Sequence, residues 1–137
     1  MYLGIDYGKK RIGVAIGSIF PKPLVVIDGS KSKEQILDNF RKIAETEEIE
    51  GMVFGLPEKD DSNETGLNLE IKKIAKYLGE NLNIPIHFEP EQFTSTEAER
   101  ILKKYGVSVI DNKEKIDKLS AVIILEQFLE RKKSEQK

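Results

Sequence analysis

At 137 residues with no cysteine, the chain can bury the core of one domain but is too short for two. A disulfide framework, a thiolate metal site and a cysteine nucleophile are excluded. With 22 Lys and Arg against 24 Asp and Glu, the net charge is -2, so any nucleic-acid binding must use local patches rather than a global field.

The chain opens on Tyr2-Leu3-Gly4-Ile5-Asp6-Tyr7-Gly8-Lys9-Lys10-Arg11-Ile12-Gly13-Val14-Ala15-Ile16-Gly17. This reads as two apolar strands joined by a short Gly-Lys-Lys turn, which is hairpin spacing. Alternation puts Leu3, Ile5 and Tyr7 on one face and Tyr2, Gly4 and Asp6 on the other. A carboxylate inside an apolar strand is costly unless something pairs with it. Asp6 stands at the strand end beside Lys9, Lys10 and Arg11. It suits either a metal-and-phosphate site or a strand-end ion pair with the turn's own cations.

Pro21 and Pro23 precede a third strand, Leu24-Val25-Val26-Ile27, expected at a sheet edge where proline is tolerated. From about residue 32 to 48, Ile36, Leu37, Phe40, Ile43 and Ala44 repeat at helical spacing. Met52-Val53-Phe54 follows as a buried strand closed by Gly55-Leu56-Pro57. A polar loop leads to a second amphipathic helix with Leu67, Ile71, Ile74, Ala75 and Leu78 on one stripe. Ile84-Pro85-Ile86-His87-Phe88 is a fifth β-like run, with Ile84, Ile86 and Phe88 expected inward and His87 half-exposed. A third helix is predicted from Thr94-Ser95-Thr96, where two capping-box spacings occur, to a stop at Gly106. The last helix runs from Asp111 to about Lys132.

The order β-β-β-α-β-α-β-α-α predicts a five-stranded mixed sheet with helices on both faces and the first strand in its middle. In such sheets the site lies beyond strand ends where the order reverses, which is where Asp6 falls. In the last helix, residues 117, 120, 121, 124 and 128 form one stripe of Asp, Ser, Ala, Ile and Phe, so Asp117 heads a packed face. Glu91 is a third candidate, placed just past the end of the 84–88 strand, with Glu89 competing. Acids from two strand ends and one helix make an oxygen-only set that suits Mg²⁺ or Mn²⁺, as one or two ions, for phosphodiester hydrolysis. Lys9, Arg11 and the helix N-terminus at Thr94, Ser95 and Thr96 are the expected phosphate contacts.

These residues resemble the YqgF (RuvX-like) family. Gly4 to Ala15 is similar to its opening motif, Phe54-Gly55-Leu56-Pro57 with Thr65-Gly66 to its second, Phe93 to Glu99 to its third, and Ile116 to Ala121 to its fourth. The resemblance implies an α/β ribonuclease H-like fold over 1–137 as a single nuclease domain. It implies Asp6, Glu91 and Asp117 as catalytic and metal-binding acids, Glu91 resting mostly on it, and Gly55 among the substrate-binding residues. The family names imply a pre-16S rRNA nuclease or a Holliday junction resolvase. Pro90-Glu91-Gln92 departs from the family's usual Asp-Glu-Arg, keeping only the glutamate.

Three function classes remain open. A metal-dependent nuclease is favoured, acting on structured RNA with branched DNA as the alternative. An ATP-binding domain of the actin and sugar-kinase type also has Asp-x-Gly near a hairpin, but needs two such domains around a cleft. A non-catalytic nucleic-acid-binding module on the same fold is the third. No helix shows a second apolar stripe to spare, so a monomer or weak homodimer is expected. No apolar run approaches the ~20 residues of a membrane helix and the N-terminus resembles no signal peptide, so a cytoplasmic protein with no membrane partner is expected.

Overall fold

Alternating apolar residues close the first hairpin. Strand β1 (Tyr2–Asp6) pairs antiparallel with β2 (Arg11–Gly17), Asp6 standing opposite Gly13. The computed structural model describes residues 1–57, 66–91 and 113–135, with side chains from Lys118 onward in the last stretch. Strand β3 (Lys22–Asp28) lies antiparallel on β2 and starts before the expected Leu24, with Pro23 inside it. The register shifts between Val14 and Ala15, and Pro23 pairs with Ala15 at that irregularity, on an edge where a missing N–H is tolerated.

Helix α1 (Lys33–Thr46) begins at a capping box: Ser32 Oγ accepts from the Gln35 amide at 3.2 Å, and Gln35 Oε1 accepts from the Ser32 amide at 3.2 Å. It buries Ile36, Leu37 and Phe40 and ends at Thr46, short of the expected 48. Strand β4 (Gly51–Pro57) returns parallel to β1. Helix α2 (Gly66–Leu82) buries Ile71, Ile74, Ala75 and Leu78, the expected stripe, and is followed by Asn83 at φ 56, a left-handed residue of the kind that ends helices. Strand β5 (Ile86–Glu91) lies parallel to β4. Helix α3 (Lys113–Glu135) is the last described element. The helix expected after Thr94, and the Asp111 start of the last helix, lie outside the described residues.

The sheet order is β3-β2-β1-β4-β5, so β1 is central, as expected. Helices α1 and α2 cover one face, where Leu3, Ile5, Ile12, Met52 and Phe54 meet the buried stripes of both helices. Helix α3 covers the other, where Ala121, Val122, Ile124, Leu125 and Phe128 pack on Ala15 and Val53. Each large apolar side chain fully buried this way contributes about 1.5–3 kcal/mol. Gly4 is what lets α3 lie so low: a Cβ there would stand 2.6 Å from the Ala121 carbonyl oxygen and 2.7 Å from Leu125 Cβ.

The strand expected at 84–88 differs from expectation. Strand β5 does not stop at Phe88 but continues through Pro90 to Glu91, paired with Gly55, Leu56 and Pro57. It is the last strand in the sheet order, so the Pro90 nitrogen need not donate to a further strand. Phe88, expected inward, is 36% exposed, and the buried residue of the strand is Glu89, on the opposite face.

Candidate active site at the carboxyl end of the central strands

Strands β1, β4 and β5 are mutually parallel, so Asp6, Pro57 and Glu91 finish at the same end of the sheet. The Asp6 face of β1 is the α3 face, because Gly4, two residues earlier, meets Ala121 and Leu125. Gly55 of β4 and Glu91 of β5 look the same way. A Cβ on Gly55 would stand 2.5 Å from Ile124 Cδ1 and 2.8 Å from Glu91 Oε1. The missing side chain is the cradle into which the Glu91 carboxyl leans, and this is the steric reason for glycine at 55.

The Glu91 carboxyl is hydrogen-bonded to that of Asp6. Burial pushes the Glu91 carboxyl above the ordinary carboxylate range, and the Asp6 hydrogen bond pulls it back only in part. Two carboxyls in contact stay together only with a proton or a cation between them. Hard oxygen donors in contact and partly desolvated fit Mg²⁺ or Mn²⁺. Among the described residues no group of three acidic or histidine side chains forms a metal cluster. The Asp117 side chain lies outside the described residues; its backbone belongs to α3, one turn before Ala121, whose carbonyl approaches Gly4.

The turn between β1 and β2 sits at this same end. Lys9 is exposed, its Nζ 4.0 Å from a Glu70 carboxylate oxygen of α2, a surface contact worth little. Arg11 is half-buried and stands opposite Asp28 on β3. The Gly29 amide donates to the Lys10 carbonyl at 3.0 Å, and a Cβ on Gly29 would run into the Gly8 carbonyl, so the turn after β3 braces the basic turn. Tyr7 is held above its ordinary pKa by burial first and Glu70 second.

Glu89 was the competitor to Glu91, and the structure separates their surroundings. Both lie on the α3 face, because Glu91 stays in the strand rather than turning out of it after Pro90. Glu89 is 7% exposed, and its Oε1 accepts from Arg131 Nε at 3.1 Å and from Arg131 Nη2. His87 is half-buried, its ring 4.9 Å from that of Phe128, and burial, then Lys132 and Arg131, lower its pKa. Sequence reasoning does not single out Arg131, although a signal exists: 131 continues the 117-121-124-128 stripe at helical spacing. Thr94, Ser95 and Thr96 lie outside the described residues, as does Gln92.

Comparison with known proteins gives the arrangement a context. The family model RuvX, described as Holliday junction resolvase, matches residues 1–131. Proteins named "Putative pre-16S rRNA nuclease" match nearly end to end. The one from Koribacter versatilis is 34% identical, covering 95% of this chain and 86% of that protein. Those from Lactobacillus gasseri and Phocaeicola vulgatus are 35% and 34% identical, covering 93% and 96% of this chain and 94% and 96% of theirs. The structure of T. thermophilus RuvC in complex with a Holliday junction substrate superposes with a TM-score of 0.63 at 12% identity, over 97% of this chain and 95% of that one. A second Thermus thermophilus RuvC structure gives 0.60 at 10% identity. At that identity the likeness shows a shared ribonuclease H-like α/β fold.

Proposed function

The chain belongs to the RuvX nuclease family, and from that premise we propose that it is a single-domain, divalent-metal-dependent nuclease acting in 5′-end processing of 16S rRNA precursor. The observation that carries this reading is the Asp6–Glu91 carboxyl pair at the carboxyl ends of two parallel strands.

In this reading Asp6, Glu91 and Asp117 hold Mg²⁺ or Mn²⁺, as one ion or two. The bound metal supplies Lewis-acid polarisation of the phosphodiester and activation of the attacking water. Asp6 reaches the site from the central strand, and Glu91 is steered there by the Gly55 cradle. Asp117 belongs by its backbone to α3, which Gly4 allows onto β1. Lys9 and Arg11 contact substrate phosphates, joined by Gly55 and by the segment at Thr94, Ser95 and Thr96. The names of the relatives support RNA as the substrate, the family description supports branched DNA as the alternative, and a cytoplasmic site of action belongs to the RNA reading. Among the described residues no helix is long and apolar enough to cross a membrane.

One assay tests the proposal: purified protein on precursor 16S rRNA, single-stranded RNA and a four-way DNA junction, with Mg²⁺ or Mn²⁺. Metal-dependent cleavage of the precursor is expected. Junction cleavage with RNA untouched moves the substrate to branched DNA. Nucleic-acid binding without cleavage leaves a non-catalytic module, and saturable ATP binding without cleavage leaves a phosphate-loop domain.

A further inference from the structure

We propose that Arg131 is a positioning residue for the acidic site, acting through Glu89 so that of the two acids on β5 only Glu91 engages the metal. This rests on the nuclease reading. Strand β5 carries Glu89 and Glu91 on one face, the face shared with Asp6. Glu89 pairs in register with Gly55, and Gly55 follows the Phe54 that pairs with Ile5, so Asp6 and Glu89 are two strand spacings apart, about 10 Å. Glu89 is thus a third acid beside the pair, and the most deeply buried charge among the described residues.

A buried carboxylate so placed must be neutralised. Both the Nε and the Nη2 of Arg131 donate to one oxygen of Glu89. The guanidinium is itself steadied on the Phe128 ring, 5.9 Å from its centroid, with the His87 ring against the far part of the same cluster. Lys132 is turned instead to the Tyr2 ring, 5.4 Å away, so the neighbouring cation is engaged elsewhere. The chemistry is one of subtraction. With Arg131 in place, Glu89 adds no net charge near the Asp6–Glu91 pair. Without it, an uncompensated carboxylate lies on the same strand face and the nearest cation available to it is the metal.

The prediction is therefore opposite to that for a simple structural tie. Arg131→Met frees Glu89, and a unit charge about 10 Å from the cation should tighten Mn²⁺ binding roughly tenfold. Cleavage should nonetheless slow roughly tenfold or more, in kcat rather than KM, because the metal is drawn from its productive place. Removing the freed charge, in Arg131→Met/Glu89→Gln, should return both quantities to within about threefold of wild type. Glu89→Gln alone should do little, since the amide oxygen still accepts from Arg131 and the arginine is half-exposed. Arg131→Lys keeps the charge and loses one of the two donors, so Mn²⁺ affinity should stay within about twofold.

The experiment is calorimetric titration of the full chain with Mn²⁺, alongside kcat and KM on precursor RNA. If Arg131→Met does not fold, Arg131→Gln takes its place: its amide still donates to Glu89 but leaves the carboxylate charge uncompensated, so tighter Mn²⁺ binding is expected there too, and unchanged or weaker binding overturns the proposal. Weaker Mn²⁺ binding in Arg131→Met, or a double variant no better than the single, makes the pair a structural tie and overturns the proposal. A wild-type chain that binds no Mn²⁺ overturns the metal reading itself, which is distinct from wild-type binding that Arg131→Met leaves unmoved.

Discussion

At the scale of the residue, the site is a question of which charges may sit together. Asp6 and Glu91 share a hydrogen bond at a place where one of them must carry a proton unless a cation intervenes. Asp6→Asn and Asp117→Asn keep the shape and lose the charge. Each should cut cleavage by roughly 100-fold or more, as lost charge stabilisation does, and Asp6→Asn should leave metal-free stability unchanged or slightly raised because repulsion is relieved. Cleavage rates and thermal melts of the two variants check this; full activity in either removes that acid from the site. Titration gives a second handle. Burial raises the Glu91 pKa, so the folded state favours its protonated form. Its stabilising effect is complete below the unfolded carboxyl pKa of about 4.3 and is lost as pH rises through the higher folded value. Metal-free melting temperature should fall over that window, Mg²⁺ should restore it, and Glu91→Gln should flatten both responses. A pH profile identical in Glu91→Gln would mean that another group carries it.

At the scale of the element, what matters is how closely α3 lies on the sheet. Gly4→Ala would place a Cβ 2.6 Å from the Ala121 carbonyl oxygen, backbone that cannot step aside without moving the helix. We expect a cost of about 1–3 kcal/mol, typical of overpacking, together with a loss of cleavage, because the same helix carries Asp117. Ser32→Ala is the control. It removes the α1 cap and should cost about 1 kcal/mol, but α1 packs on the opposite face and cleavage by the folded protein should persist. Urea unfolding and cleavage of the two variants separate the outcomes; equal activity loss at equal destabilisation would deny α3 a special place.

At the scale of the whole molecule, substrate choice follows from symmetry. Resolving a four-way junction takes two matched cuts and so favours a stable two-fold dimer with two sites. Such an interface commonly buries more than ~1,000 Å². Among the described residues the exposed large apolar side chains are dispersed: Met1 at the N-terminus, Ile19 and Phe20 on the β2–β3 turn, Leu24 on β3, Leu69 on α2 and Phe88 on β5. Trimming an RNA end needs one site and modest phosphate contacts. We therefore expect a monomer or weak dimer by sedimentation at micromolar concentration, cutting RNA better than junctions. A tight dimer making paired symmetric nicks would reverse that order.

The hairpin alternation, the apolar stripes of α1 and α2 and the capped or glycine-marked ends are local signals, and from them the sequence alone determined a mixed sheet with β1 at its centre and Asp6 at its end. A helical stripe likewise singles out Asp117 as a candidate, and its side chain lies outside the described residues. Glu91 was not separable from Glu89 by local pattern, because pattern stops a strand at Pro90, whereas an edge strand tolerates a residue with no N–H. Only the tertiary structure decided that β5 runs on to Glu91, that Gly55 makes room for its carboxyl, and that Arg131, 42 residues beyond Glu89 in the chain, takes the other acid. Those are pairings across strands and between helix and sheet, set by which surfaces close on each other, and no periodicity within one segment encodes them.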